Sequence, residues 1–219
     1  MKNLLRPMFA LMALLGTLCL PMAAGAQSAQ AGETKAAMCI GCHGIPDYKA
    51  SFPEVYRVPM IAGQSEKYLA AALAQYKRGD RKHPSMRGVA TTLTDQDMAD
   101  LVAFYAKAGK SEPVPAALTS TVPANVAALL ARGNCASCHG ANYSAPIDPS
   151  YPKLAGQHAD YLYVALCGYQ TDKNPLIGRN NAIMVGMARL YTPAELKVLS
   201  KYFASLPGEM RTNQQPRFR

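Results

Sequence analysis

Two apolar patterns run along the chain, and each is written twice. After Ala62-Gly63-Gln64, the positions Tyr68, Leu69, Leu73 and Tyr76 fall roughly on one helical face. After Ala155-Gly156-Gln157, Tyr161, Leu162, Leu166 and Tyr169 repeat them at an offset of 93 residues. Each triplet follows a proline segment, Pro59-Met60-Ile61 and Pro152-Lys153-Leu154. A second register follows at an offset of 98, in which Met86-Arg87-Gly88-Val89-Ala90 answers to Met184-Val185-Gly186-Met187-Ala188. In the same register Leu101 answers to Leu199, and Phe104-Tyr105-Ala106 to Tyr202-Phe203-Ala204. The difference between the offsets is an insertion of five residues between Tyr169 and Met184, a change that a surface loop absorbs.

The same patterns predict where helices begin. Thr94 with Asp97 three residues on, and Thr192 with Pro193 and Glu195, read as N-caps of two apolar-striped helices. Further helices are expected from about Glu33 to Cys39 and from Asn125 to Asn134. Lys110 to Pro123, with three prolines and several Ser and Thr, reads as a linker. The expectation is an all-α chain of two domains, 32–110 and 123–208, joined by 111–122 and followed by a basic tail, 209–219.

Residues 1–26 are set apart from both domains. Lys2 and Arg6 precede an apolar run from Met8 to Leu20, then Pro21 and the small residues Ala24-Gly25-Ala26, the anatomy of a secretory signal peptide cleaved after Ala26. The apolar run is short for a membrane span of about 20 residues, so the competing reading, an uncleaved anchor, fits less well. Cys19 follows Leu18, where a lipidation site would have a small residue, and leaves with the signal.

Composition enters at this point. The 219 residues are 49% hydrophobic and 17% charged, which excludes a disordered polyelectrolyte and a polytopic membrane protein. Lys and Arg number 23 against 14 acidic residues, a net +9; export removes Lys2 and Arg6 and leaves 21 against 14, or +7. Export also leaves five of six cysteines, an odd number that argues against a pure disulfide framework.

Four of those five form two copies of one motif, Cys39-Ile40-Gly41-Cys42-His43 and Cys135-Ala136-Ser137-Cys138-His139. C-x-x-C-H is the attachment signature of a c-type haem: two thiols on one helical turn form thioethers, and the adjacent imidazole lies beneath the iron. A thioredoxin-like pair or a four-thiolate zinc site would leave both histidines and the repeat unexplained. A domain of about 80 residues is also too small for a large side-chain core, and a covalent haem supplies the missing apolar centre. For the opposite axial position the repeat selects Met86, 43 residues after His43, and Met184, 45 after His139. Methionine sulfur favours ferrous iron and closes the site to small ligands. Met187, whose counterpart is Val89, reads as packing; His83 is the rival to Met86; His158 and Cys167, aligned with Ser65 and Ala74, receive no ligand role. Tyr68 and Tyr161 are candidates to bond haem propionates, with most of the twelve tyrosines expected in the core.

With these motifs in place, the segments "YPKLAGQHADYL" and "MVGMARLYTPAELKVLSKYFASL" resemble the di-haem cytochrome c4 family, tandem class I cytochrome c domains, from about Gly32 to Leu206. The first half departs from the family in Gly44 to Met60, where a short Gly/Asn/Ser-rich loop is usual. The resemblance implies a periplasmic electron carrier, free or loosely held at the membrane surface, with its domains facing each other about a pseudo-twofold axis and haem propionates close together. It also implies redox partners: a quinol-oxidising complex as donor and a haem–copper terminal oxidase as acceptor. Competing readings are the cytochrome subunit of a periplasmic dehydrogenase, a di-haem peroxidase using His83, and a thiosulfate-oxidising di-haem enzyme using Cys167. Nucleic acid is excluded as a partner, because the chain is exported and has no aromatic-interleaved basic cluster.

Overall fold

In the computed structural model, residues 26–110, 113–118 and 120–214 are described. The signal segment with Cys19, and the end of the tail from 215, lie outside them.

The first domain begins with α1 (Ala29–Lys35), capped by Ser28, whose hydroxyl accepts from the Ala31 N–H at 3.2 Å. α1 crosses the helix running from Asp95, and Gly32 permits the crossing: a Cβ there would lie 2.0 Å from the carbonyl oxygen of Asp100. Lys35 secures the contact through ion pairs to Asp97 at 2.8 Å and Asp100 at 2.6 Å. The single helix expected into Cys39 is instead two, because α2 (Ala37–His43) starts anew after the fully buried Ala36. The Ala36 N–H is shared between the carbonyls of Gly32 and Glu33, a tightening that redirects the chain. A hairpin of β1 (Lys49–Ala50) and β2 (Tyr56–Arg57) occupies the unusual 44–60 segment. Then come α3 (Glu66–Arg78), β3 (Arg81–Lys82), α4 (Pro84–Thr92) and α5 (Asp95–Lys107).

The second domain follows the same plan without the hairpin: α6 (Ala124–Gly133), α7 (Ala136–His139), α8 (Ala159–Gln170), β4 (Gly178–Arg179), α9 (Ala182–Ala188) and α10 (Pro193–Ser205). Both expected capping boxes form, Thr94 with Asp97 on α5 and Thr192 with Glu195 on α10. Each domain has its own core, around Leu69, Met98, Leu101 and Tyr105 in the first, and around Leu129, Leu162, Leu196 and Phe203 in the second. Among the described residues no helix is long and apolar enough to cross a membrane.

The domains meet through an exchange of glutamines. The side chain of Gln157 crosses to the first domain, accepting from the Met60 N–H at 3.1 Å and donating to the Met60 carbonyl at 2.8 Å. Gln64 makes the matching bonds to Lys153, accepting from its N–H at 2.9 Å and donating to its carbonyl at 3.0 Å. Gln64 and Gln157, like Met60 and Lys153, stand 93 residues apart, so the exchange is the sequence repeat closed into a pseudo-twofold contact. Gly63 and Gly156, at φ 84° and 76°, are the left-handed turns that aim the two glutamines. β3 and β4 pair antiparallel across the same seam, and Arg57 binds Asp160 of α8 at 3.1 Å.

The tail expected from 209 starts later. Glu209 accepts from the Lys110 N–H at 2.9 Å, Met210 is 1% exposed, and Arg211 bridges to Ala62. Residues 209–211 thus form a strap from the second domain back onto the first. The Met210 sulfur receives both glutamine amides, at 3.3 Å from Gln64 and 3.5 Å from Gln157.

Candidate haem sites and the seam between them

Each Cys-x-x-Cys-His run ends a helix, α2 or α7, and each histidine is held in the same way. The His43 Nδ1–H donates to the Pro59 carbonyl at 2.8 Å, and the His139 Nδ1–H donates to the Pro152 carbonyl at 2.9 Å. A carbonyl only accepts, so the proton sits on Nδ1 and the lone pair on Nε2, the nitrogen needed for iron. Burial holds both imidazoles below their usual pKa and therefore neutral. Pro59 and Pro152 are again 93 residues apart; their place in the repeat marked them as candidates, but only the fold discloses the bond.

The thiols differ in their surroundings. Cys39 is partly buried beside Tyr105 and burial pushes it up to about 11, while Cys42 is exposed. Burial likewise raises Cys135, near Tyr191. The two pairs lie in separate domains, so the four-thiolate zinc arrangement is not assembled. Cys167 is a half-buried thiol beside Tyr163, raised chiefly by burial.

Met86 and Met184 occupy equivalent positions on the first turns of α4 and α9, both half-buried. No hydrogen bond joins either to the histidine of its domain among the described residues. Their helices are started by different residues in equivalent roles. His83 Nδ1 accepts from the Met86 N–H at 3.4 Å, and Asn181 Oδ1 accepts from the Met184 N–H at 3.0 Å. The other nitrogen of His83 donates to the Tyr56 hydroxyl at 3.0 Å. With both nitrogens engaged, His83 is a helix cap. Met187, expected in packing, is 37% exposed, because it lies on the solvent side of the short α9. His158 stands just before α8 and makes no side-chain cap bond.

Between the two sites lies a group that the sequence reading passed over. Arg81 and Arg179 are Cα partners in the β3–β4 pairing, 98 residues apart like Met86 and Met184. Arg81, only 5% exposed, stacks over the rings of Tyr68 and Tyr76; Arg179 stacks over Tyr161 and Tyr169. Burying such an ion costs several kcal/mol, and each cation–π contact returns about 0.5–2 kcal/mol. Extending the second register five residues upstream of Met86 would have found the pair.

The comparisons with known proteins fit this arrangement. A family model described as cytochrome c matches residues 29–108 and 123–207, one segment for each domain. Cytochrome c4 of Azotobacter vinelandii is 32% identical over 202 residues, spanning 84% of this chain and 92% of that protein. The chain belongs to the di-haem cytochrome c4 family. A crystal structure of reduced cytochrome c4 from Pseudomonas stutzeri superposes with a TM-score of 0.57 at 26% identity, covering 83% of this chain and all of that one. A protein named thiosulfate dehydrogenase electron acceptor, from Stutzerimonas stutzeri, is 32% identical over 84% of this chain and 86% of its own. A family member of this kind is an electron-transfer protein with two covalently bound c-type haems, one at each Cys-x-x-Cys-His run. The residues fit that cofactor: paired thiols on one turn, a neutral imidazole with Nε2 free, and at the seam a buried Arg81 beside a partly buried Arg179.

Proposed function

We propose that this protein is a periplasmic carrier of single electrons, exported by residues 1–26 and built as domains 32–110 and 123–208. Cys39 and Cys42 hold the first haem, with His43 and Met86 as axial ligands. Cys135 and Cys138 hold the second, with His139 and Met184. The observation that carries this reading is the repetition of the whole support: an imidazole fixed by a proline carbonyl, and a methionine on a side-chain-capped first turn. When bound, haem iron supplies one-electron exchange between ferrous and ferric states. The chain contributes neutral imidazole, soft sulfur and a packed surround that keeps reorganisation small. Low-temperature electron paramagnetic resonance and the weak methionine–iron absorption near the red edge test the ligands. Met86→Ala and Met184→Ala each remove half of that band and Met187→Ala leaves it; an intact band in Met86→Ala overturns the assignment.

The donor in this reading is a quinol-oxidising complex and the acceptor a haem–copper terminal oxidase, met at the membrane surface through the basic balance of the chain. As a carrier the protein turns over no substrate of its own. A second reading, electron acceptor for a thiosulfate dehydrogenase, is favoured by the relative of that name and by a further structural match. That match is the thiosulfate dehydrogenase TsdBA of Marichromatium purpuratum, with a TM-score of 0.60 at 25% identity and 40% of its chain covered. Stopped-flow reduction of the holoprotein by each purified donor separates the two. Faster reduction by the thiosulfate enzyme than by the quinol complex selects the second.

A further inference from the structure

The first turns that carry the two candidate methionines are capped by different residues, and only one of the caps is itself held. Asn181 makes a single side-chain bond among the described residues, accepting from the Met184 N–H at 3.0 Å. His83 makes two: Nδ1 accepts from the Met86 N–H at 3.4 Å, and the opposite nitrogen donates to the Tyr56 hydroxyl at 3.0 Å. An imidazole is a rigid ring, so a grip on one nitrogen fixes where the other points. Tyr56 is a firm anchor. It is 6% exposed, pairs with Ala50 across the β1–β2 hairpin, and precedes Arg57, whose backbone N–H donates to the Asp160 carboxylate of α8 at 3.0 Å. Phe52 meets the same imidazole edge-on, with ring centres 6.2 Å apart. Phe52, Tyr56 and Arg57 all belong to the 44–60 segment in which the chain departs from its family, and the second domain has no hairpin between α7 and α8.

We infer that Tyr56 and His83 are positioning residues for the first haem: the hairpin grips His83, and His83 holds the turn of α4 that presents the Met86 sulfur. Groups that orient a metal ligand tune the site without touching the metal. Segments held by few contacts open locally long before a domain unfolds. At Met184 such an opening breaks a cap alone, whereas at Met86 it must also work against the hairpin. Two sites with the same ligands are thus held shut to different degrees. Because Arg57 ties β2 to α8, the brace on the first site is anchored in the second domain. This role rests on Met86 as an axial ligand, and not on which donor or acceptor is used.

Imidazole binding to the ferric holoprotein reads the opening, because an external ligand enters only while the methionine is off and its apparent affinity scales with the open fraction. Met86→Ala and Met184→Ala mark the spectrum of each open site. Tyr56→Phe frees the His83 ring while keeping an aromatic side chain. His83→Asn keeps a cap of the Asn181 kind and gives up the hairpin. In each, the apparent affinity at the first haem rises about tenfold, equivalent to about 1.4 kcal/mol, and that at the second haem does not move. Amide exchange at Met86 quickens by a similar factor. Thr94→Ala weakens the cap of α5 in the same domain without touching the hairpin, and it leaves imidazole affinity unchanged. An equal rise in Thr94→Ala marks a general loosening of the domain and overturns the role. So does an equal rise at both haems, or an unmoved affinity in both Tyr56→Phe and His83→Asn. If His83→Asn does not load the first haem, Tyr56→Phe decides by the same readings. Absence of the methionine–iron band in the wild type overturns the ligand assignment and this role with it. The band present, with affinities unmoved in the variants, overturns this role alone.

Discussion

Gln157→Leu removes one arm of the glutamine exchange while keeping a side chain of similar length in a position 3% exposed. The substitution strands the Met60 N–H and carbonyl, which Gln157 satisfies at 3.1 and 2.8 Å. Each unsatisfied buried main-chain group costs about 1–3 kcal/mol, so the expected loss is about 3 kcal/mol or somewhat more. For a chain of this size that lowers the midpoint of thermal unfolding by about 6–12 °C. Scanning calorimetry of the holoprotein reads it, together with amide exchange at Met60, which should quicken in step. Gln157→Glu is the sharper control, because a carboxylate still accepts from the Met60 N–H but turns lone pairs toward the Met60 carbonyl and the Met210 sulfur. It should destabilise at neutral pH at least as much as leucine and recover relative to wild type as acid returns a proton. Gln64→Leu combined with Gln157→Leu should be non-additive, since both amides meet Met210. A Gln157→Leu midpoint within about 2 °C of wild type, with Met60 still protected, refutes the claim that the exchange holds the domains together.

Three further outcomes are expected. Thr192→Ala removes the hydroxyl that caps α10 and lowers stability by about 1 kcal/mol, read as a modest fall in the calorimetric midpoint. Gly32→Ala forces a Cβ against the Asp100 carbonyl and costs about 1–3 kcal/mol or prevents haem loading, measured by denaturant unfolding and haem content. Burial alone would raise the Asp160 carboxyl, but its bonds with Arg57 hold it below the usual range. Its contribution is therefore complete above the unfolded carboxylate value of about 3.9 and is lost as pH falls through the lower folded value. Wild type should exceed Asp160→Asn in thermal midpoint at pH 7, with the gap closing in acid below about pH 4.

What could be read from the chain was local or repeated. The two Cys-x-x-Cys-His runs, both capping boxes and the two registers each need only neighbours along a helix or a second copy for comparison, and the tandem cytochrome c architecture followed from them. The break at Ala36 was hidden, because alanine carries no breaker signal and the turn depends on a contact with α5. Residues 209–211 looked like the start of a solvated tail. A single methionine between Glu209 and Arg211 has no periodicity, and its burial depends on two glutamines far away in sequence. His83 stood out as a rival ligand because of its chemistry, whereas its backbone position makes it a cap that Asn181 matches with a different side chain. The buried Arg81 and its partner Arg179 were hidden because surface exposure is the default expectation for arginine.

The strap has a consequence for how such a chain can arise. A side chain lying on an approximate twofold axis has room for no twin, and Met210 sits between two glutamines related by that axis. Two separate single-domain copies docked in the same way would present two straps to one space, and one would have to leave. The covalent tandem avoids that conflict, because one chain brings the single Met210 sulfur to both glutamines. A change at Met210 therefore reaches both halves at once.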